Sequence, residues 1–67
     1  MLRLTYERQK KGLSKTKLAF LAKIHPADIG KLESGKLYPY PGFKKKLSEA
    51  LGIDGEELFE EVDVNGK

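Results

Sequence analysis

An all-α fold of five short helices is what this 67-residue chain predicts, on three observations. Glycine and proline interrupt it at intervals that fit short helices. Between them apolar residues recur at i, i+3 and i+4, and no run of alternating Val, Ile, Thr and aromatic residues supports a strand. At this length a single domain over residues 1–62 must rest on one efficient core, burying roughly 60% of the surface its unfolded chain would expose. Residues 63–67 read as a fraying tail.

Taken in order, residues 3–11 (RLTYERQKK) are rich in helix formers and stop at Gly12, which takes a left-handed conformation without steric cost. Ser14 caps the second helix, whose stretch SKTKLAFLAK places Leu18, Leu21 and Ala22 on one side, with Ala19 small enough to admit a close neighbour. The third helix starts with Pro26 at N1, where its missing N–H costs nothing, and ends at Gly35. Ile24, Ile29 and Leu32 supply its apolar side. Pro39 and Pro41 stiffen the linker KLYPYP, and the fourth helix begins at about Pro41. Phe43, Leu47, Ala50 and Leu51 line one side of it before Gly52 stops the run. In IDGEELF, Asp54 as N-cap, Glu57 at N3 and the pair Ile53 and Leu58 predict a capping box and a hydrophobic staple on a fifth helix.

Composition narrows the chemistry. The chain has no Cys, which excludes disulfides, thiolate metal sites and thiol nucleophiles, and leaves a cytoplasmic protein as the default. No apolar run approaches the ~18 residues of a membrane span, and the N-terminus lacks a signal-peptide layout, so a soluble, unprocessed chain without a membrane partner is expected. The net charge of +3 hides an asymmetry: residues 1–48 carry twelve Lys or Arg against three acids, whereas residues 49–67 carry seven acids against Lys67. A basic body of this kind suits a polyanion, nucleic acid first, because neutralised phosphates release counterions. Charge alone leaves an unevenly charged, merely solvated surface equally open.

The second and third helices lie only about three or four residues apart, which suits the crossed pair of a helix-turn-helix. Leu18, Ala19, Ala22, Ile24, Ile29 and Leu32 stand at the spacing that the motif buries. Through GLSKTKLA, ADI, KLESGK and LSEALGI, over about residues 3–59, the chain resembles the Cro/repressor-like (XRE-type) helix-turn-helix family, with its lambda-repressor-like five-helix domain. The resemblance implies a second helix over the DNA backbone, a third helix of about residues 26–33 in the major groove, and two protomers on adjacent half-sites of double-stranded DNA. It also implies a structural ion pair between Arg8 and Glu33. Lys15 departs from the family's usual glutamine, and Lys23 from its usual turn glycine, at a cost of roughly 1 kcal/mol if the backbone there is left-handed.

Lys15 and Lys17 sit in the first turn of the second helix, where the helix dipole disfavours cations by a few tenths of a kcal/mol. A DNA phosphate docked there would remove the conflict by taking the backbone N–H groups, the Ser14 hydroxyl and both ammonium groups as ligands. On the third helix Ala27, Asp28 and Lys31 share one face. Lys31 suits guanine O6/N7, while Ala27 and Pro26 offer apolar contact such as a thymine methyl. Asp28 either accepts from cytosine N4 or serves as an acid stabilising the helix start. His25, the sole histidine, either contacts a phosphate or caps. Lys36, Tyr38 and Lys44 complete the phosphate candidates, with Tyr38 and Tyr40 equally suited to packing over the core. Gly30 weakens the third helix and leaves room for close backbone approach. Phe59 and Val62 either form an apolar contact between protomers or close the core.

These residues predict a small transcriptional regulator of repressor type, with no cofactor. One histidine without partners makes neither a metal site nor a catalytic triad, and no paired carboxylates or Gly-rich phosphate loop point to an enzyme. The rival is a protein-interaction module, antitoxin-like or adaptor, because the reading face has few hydrogen-bonding groups.

Overall fold

The computed structural model describes residues 1–63, and within them five helices follow in order: α1 (Arg3–Lys10), α2 (Lys15–Ala22), α3 (Pro26–Ser34), α4 (Pro41–Leu51) and α5 (Gly55–Leu58). α1 stops one residue short of its predicted end, with Lys11 as C-cap. Gly35 and Gly52 end α3 and α4 with φ of 80° and 72°, a region that L side chains rarely adopt. Residues 64–67, part of the tail expected to fray, lie outside the described residues.

The core is built of Leu4 from α1, Leu18, Ala19 and Ala22 from α2, Ile24 from the turn, Ile29 and Leu32 from α3, Leu47 and Leu51 from α4, and Leu58 from α5. Each fully buried Leu or Ile stabilises such a core by about 1.5–3 kcal/mol. Every helix contributes at least one, so no helix is dispensable. Leu21 corrects the sequence reading: it is 48% exposed, whereas Ala19, expected among the motif's buried positions, is buried with Leu18 and Ala22. Leu18, Leu21 and Ala22 fit i, i+3, i+4, whereas the buried set Leu18, Ala19 and Ala22 stands at i, i+1, i+4. The close crossing of α2 with α3 and α4 selects the smaller residue, because a branched side chain would hold the helices apart.

Two devices close the fold around α5. A Cβ on Gly55 would come within 2.8 Å of both the Cβ and the carbonyl oxygen of Lys44, so only glycine lets the start of α5 lie against α4. The predicted capping box is absent, because the Asp54 side chain makes no cap hydrogen bond. In a helix of four residues, packing of Leu58 and Gly55 replaces capping as the ordering force. The two ends of the chain are then clasped by backbone. Arg3 N–H donates to the Glu60 carbonyl at 2.8 Å, Val62 N–H donates to the Met1 carbonyl at 2.8 Å, and Leu2 forms a single antiparallel bridge with Glu61. Phe59 packs against the core, which places it with the closing residues. No helix among the described residues is long and apolar enough to cross a membrane.

Candidate nucleic-acid interface

The turn between α2 and α3 is only three residues, Lys23, Ile24 and His25, and its shape follows from one strained residue. Lys23 has φ 59° and ψ 43°, the left-handed conformation that glycine usually supplies. Its own N–H and that of Ile24 donate back to the Phe20 and Ala19 carbonyls, closing α2, while Ile24 drops its side chain into the core. Lys46, reaching from α4, donates to the Lys23 carbonyl at 3.5 Å and braces the turn from the other side. The strain at Lys23 is offset by these bonds and by Ile24 burial, and the direction of α3 is set.

Both helices of the motif are capped by side chains at their N-termini. Ser14 Oγ accepts from the Lys17 N–H at 3.0 Å, which leaves its O–H free to donate outward. His25 Nδ1 accepts from the Ala27 N–H at 3.2 Å, so His25 is the N-cap of α3, and Nε2 is left as the ring's outward donor. The two residues proposed from sequence as phosphate ligands therefore have a structural task, yet each keeps a donor for a second partner.

On α3, Ile29 and Leu32 point into the core, and the opposite side presents Ala27, Lys31 and Ser34, all exposed, flanked by half-buried Asp28 and Gly30. Pro26 is exposed at N1. Ser34 was missed by the sequence reading, although its i+3 spacing from Lys31 was the available signal. Its hydroxyl donates to the Lys31 carbonyl at 3.3 Å. Nothing stands within 4 Å of a Cβ built on Gly30, so the chain itself gives no packing reason for glycine there. On α2, Thr16, also missed, lines a shallow groove with Ser14, Lys17 and Phe20. Phe20 is 78% exposed, a large apolar surface that periodicity alone did not flag.

Ion pairing separates the cations into two groups. Arg8 Nε meets Glu33 Oε2 at 2.7 Å, its second nitrogen reaches Oε1 at 3.2 Å, and the third donates to the Leu13 carbonyl at 2.8 Å. The side chains are 9% and 6% exposed, so this bidentate pair ties α1, the loop after it and the end of α3 together. Glu7, whose burial the sequence did not announce, pairs with Arg3 at 3.1 Å and lies 3.9 Å from Lys10. Lys44 reaches both oxygens of Glu56 at 3.1 Å. By contrast, among the described residues no carboxylate pairs with Lys15, Lys17, Lys31 or Lys36. Of the phosphate candidates, then, Ser14, Lys15, Lys17, His25 and Lys36 are exposed on α2, the turn and the loop after α3, whereas Lys44 faces α5. Tyr38 and Tyr40 are exposed rather than laid over the core, and they pack edge to face on each other at 4.9 Å between ring centroids.

Comparison with known proteins bears on this arrangement. A family model described as helix-turn-helix matches residues 4–58. Among solved structures, the chain is similar to the restriction-modification controller protein C.AhdI from Aeromonas hydrophila, with 38% identity and a TM-score of 0.78 over 85% of this chain and 86% of that one. No curated protein matches it.

Proposed function

This chain belongs to the helix-turn-helix family of DNA-binding transcriptional regulators, and on that premise we propose that it binds double-stranded DNA sequence-specifically with α3 in the major groove. The observation that carries the proposal is the division among the cations. Among the described residues Lys15, Lys17, Lys31 and Lys36, on α2, on α3 and in the following loop, lack an internal carboxylate, whereas Arg3, Arg8, Lys10 and Lys44 are paired; Lys11 and Lys45, elsewhere on the surface, are also without one. Unpaired cations at the start of α2 cost helix stability, and a phosphate docked on that terminus removes the cost.

In this reading Lys15, Lys17, Lys36 and the outward donors of Ser14, His25 and Tyr38 hold the phosphate backbone and fix the register. Lys31 reads guanine, Ala27 and Pro26 contact thymine methyls, and Asp28 sits at the helix start within reach of a cytosine amino group. Lys44 joins the phosphate contacts only when it leaves Glu56. The protein acts as a repressor-like regulator in the cytoplasm, with two copies on adjacent half-sites. The likeness to a restriction-modification controller points the regulation at genes of such a system.

Selection from a random duplex library at near-physiological salt tests the reading. Enrichment of a palindrome or direct repeat is the expected result, and an unenriched pool with no salt-sensitive duplex binding overturns it. The exposed Phe20 and Leu21 on α2 favour one second reading, an antitoxin-like or adaptor module that holds a protein. A stoichiometric co-purifying protein whose binding is lost in Phe20→Ser, together with absent duplex binding, would establish that reading instead.

A further inference from the structure

We propose that Glu56 is an intramolecular competitor of duplex phosphate: it occupies Lys44 in the free protein and so limits sequence-independent affinity for DNA. The inference rests on the duplex-binding reading above and goes beyond it by assigning a role to the acidic end of the chain.

Lys44 stands near the start of α4 and follows in sequence the loop that carries Lys36 and Tyr38, which is the ground for counting it among the backbone-binding candidates. It differs from them in being held. Its Nζ lies 3.1 Å from each oxygen of Glu56, a symmetric grip of the kind a phosphate would offer. The grip is built in by the fold. Gly55 sits against the Cβ and carbonyl of Lys44, and this contact carries the next residue, Glu56, over the ammonium group. Exposure within the pair is lopsided, 21% for the Lys44 side chain and 76% for Glu56. A carboxylate that open to solvent is held weakly, and the phosphates of a duplex displace it without unfolding anything. Each cation freed in this way adds about one neutralised phosphate, and phosphate contacts strengthen binding to every sequence alike.

The test uses the full chain and a random-sequence duplex, with affinity measured across a salt series for Glu56→Gln, Glu57→Gln, Lys44→Met and the double variant K44M/E56Q. Glu57 carries the same charge on the same helix and makes no ion pair among the described residues, so E57Q controls for the general gain from losing an acid. E56Q is expected to bind about two- to five-fold more tightly than wild type, with nearly the same log–log salt slope, because Lys44 meets a phosphate in both complexes and only the cost of leaving Glu56 is removed. E57Q should change affinity far less and leave the slope alone, and the E56Q gain should vanish in the Lys44→Met background. An E56Q effect equal to that of E57Q, or one that persists without Lys44, overturns the proposal while a salt-dependent wild type keeps the duplex-binding reading intact. A wild type with no salt-dependent duplex binding overturns that reading, and the proposal with it.

Discussion

Where α1 meets the end of α3, and where α2 and the outward side of α3 face solvent, the molecule holds similar charged side chains under opposite treatment. At the first place Arg8 and Glu33 are buried, bidentate and joined to the Leu13 carbonyl, and Glu7 is flanked by Arg3 and Lys10. At the second, Lys15, Lys17 and Lys31 stand exposed without a carboxylate among the described residues. A buried charge must be matched inside the chain, because desolvation penalises it heavily when alone. An exposed, unmatched cluster has no such requirement and keeps its attraction for an outside anion. The same residue types thus serve the fold at one place and recognition at the other.

Breaking the buried side should produce the largest effect. Arg8→Ala leaves the Glu33 carboxylate and the Leu13 carbonyl without their donors and is expected to cost about 3–5 kcal/mol, enough to unfold much of a domain this small. Urea denaturation checks it, and a loss under 1 kcal/mol would mean that the pair is solvated in solution. Gly55→Ala tests packing without touching charge. Its Cβ would collide with the Lys44 backbone, for an expected cost of about 1–3 kcal/mol read from the same unfolding curves.

On the open side the expected signature is reversed, with large effects on binding and small ones on stability. Lys31→Ala should remove about 1–3 kcal/mol of discrimination at one base pair while shifting stability by no more than about 0.5 kcal/mol. An unchanged selected site would remove Lys31 from the readers. Lys23→Gly relieves the left-handed strain in the turn and should stabilise the fold by about 1 kcal/mol, a gain visible as a higher melting temperature. The smallest effect falls to Lys15→Ala. It should stabilise α2 by a few tenths of a kcal/mol, weaken all duplexes alike, and flatten the log–log salt slope by about 0.9.

How far the sequence could be read follows from the range of each interaction. Ser14, Pro26, Gly35 and Gly52 act within a few residues of themselves, and the helix boundaries they announce are found where the caps predict. Helical spacing was enough to choose Ile29, Leu32 and Leu47 for the core, and the expected hydrophobic staple pointed to Leu58. The same spacing also set Leu21 on the buried side beside Leu18 and Ala22, although the helix-turn-helix spacing rightly chose Ala19, and the helix crossing turns Leu21 to solvent. The capping box at Asp54 and Glu57 was misjudged for a related reason: four residues held by packing need no reciprocal cap. Within the candidate interface, the positions of Lys15, Lys17 and Lys31 were legible from periodicity. Ser34 and Thr16 were legible too, but were passed over. The engagement of Lys44 by Glu56, twelve residues away, was not legible.

By itself, then, the sequence determined the all-α class, the five helices, the helix-turn-helix and the charge imbalance between body and end. These are written in local backbone preferences and in periodicity, which need no knowledge of neighbours. Tertiary structure alone decided that Lys44 is held by Glu56, how Lys46 braces the strained Lys23, and how Met1, Leu2 and Arg3 are clasped by residues 60–62. Each of those depends on the distance between groups far apart in the chain, and in a medium where charge attraction falls with separation, distance settles which partner wins.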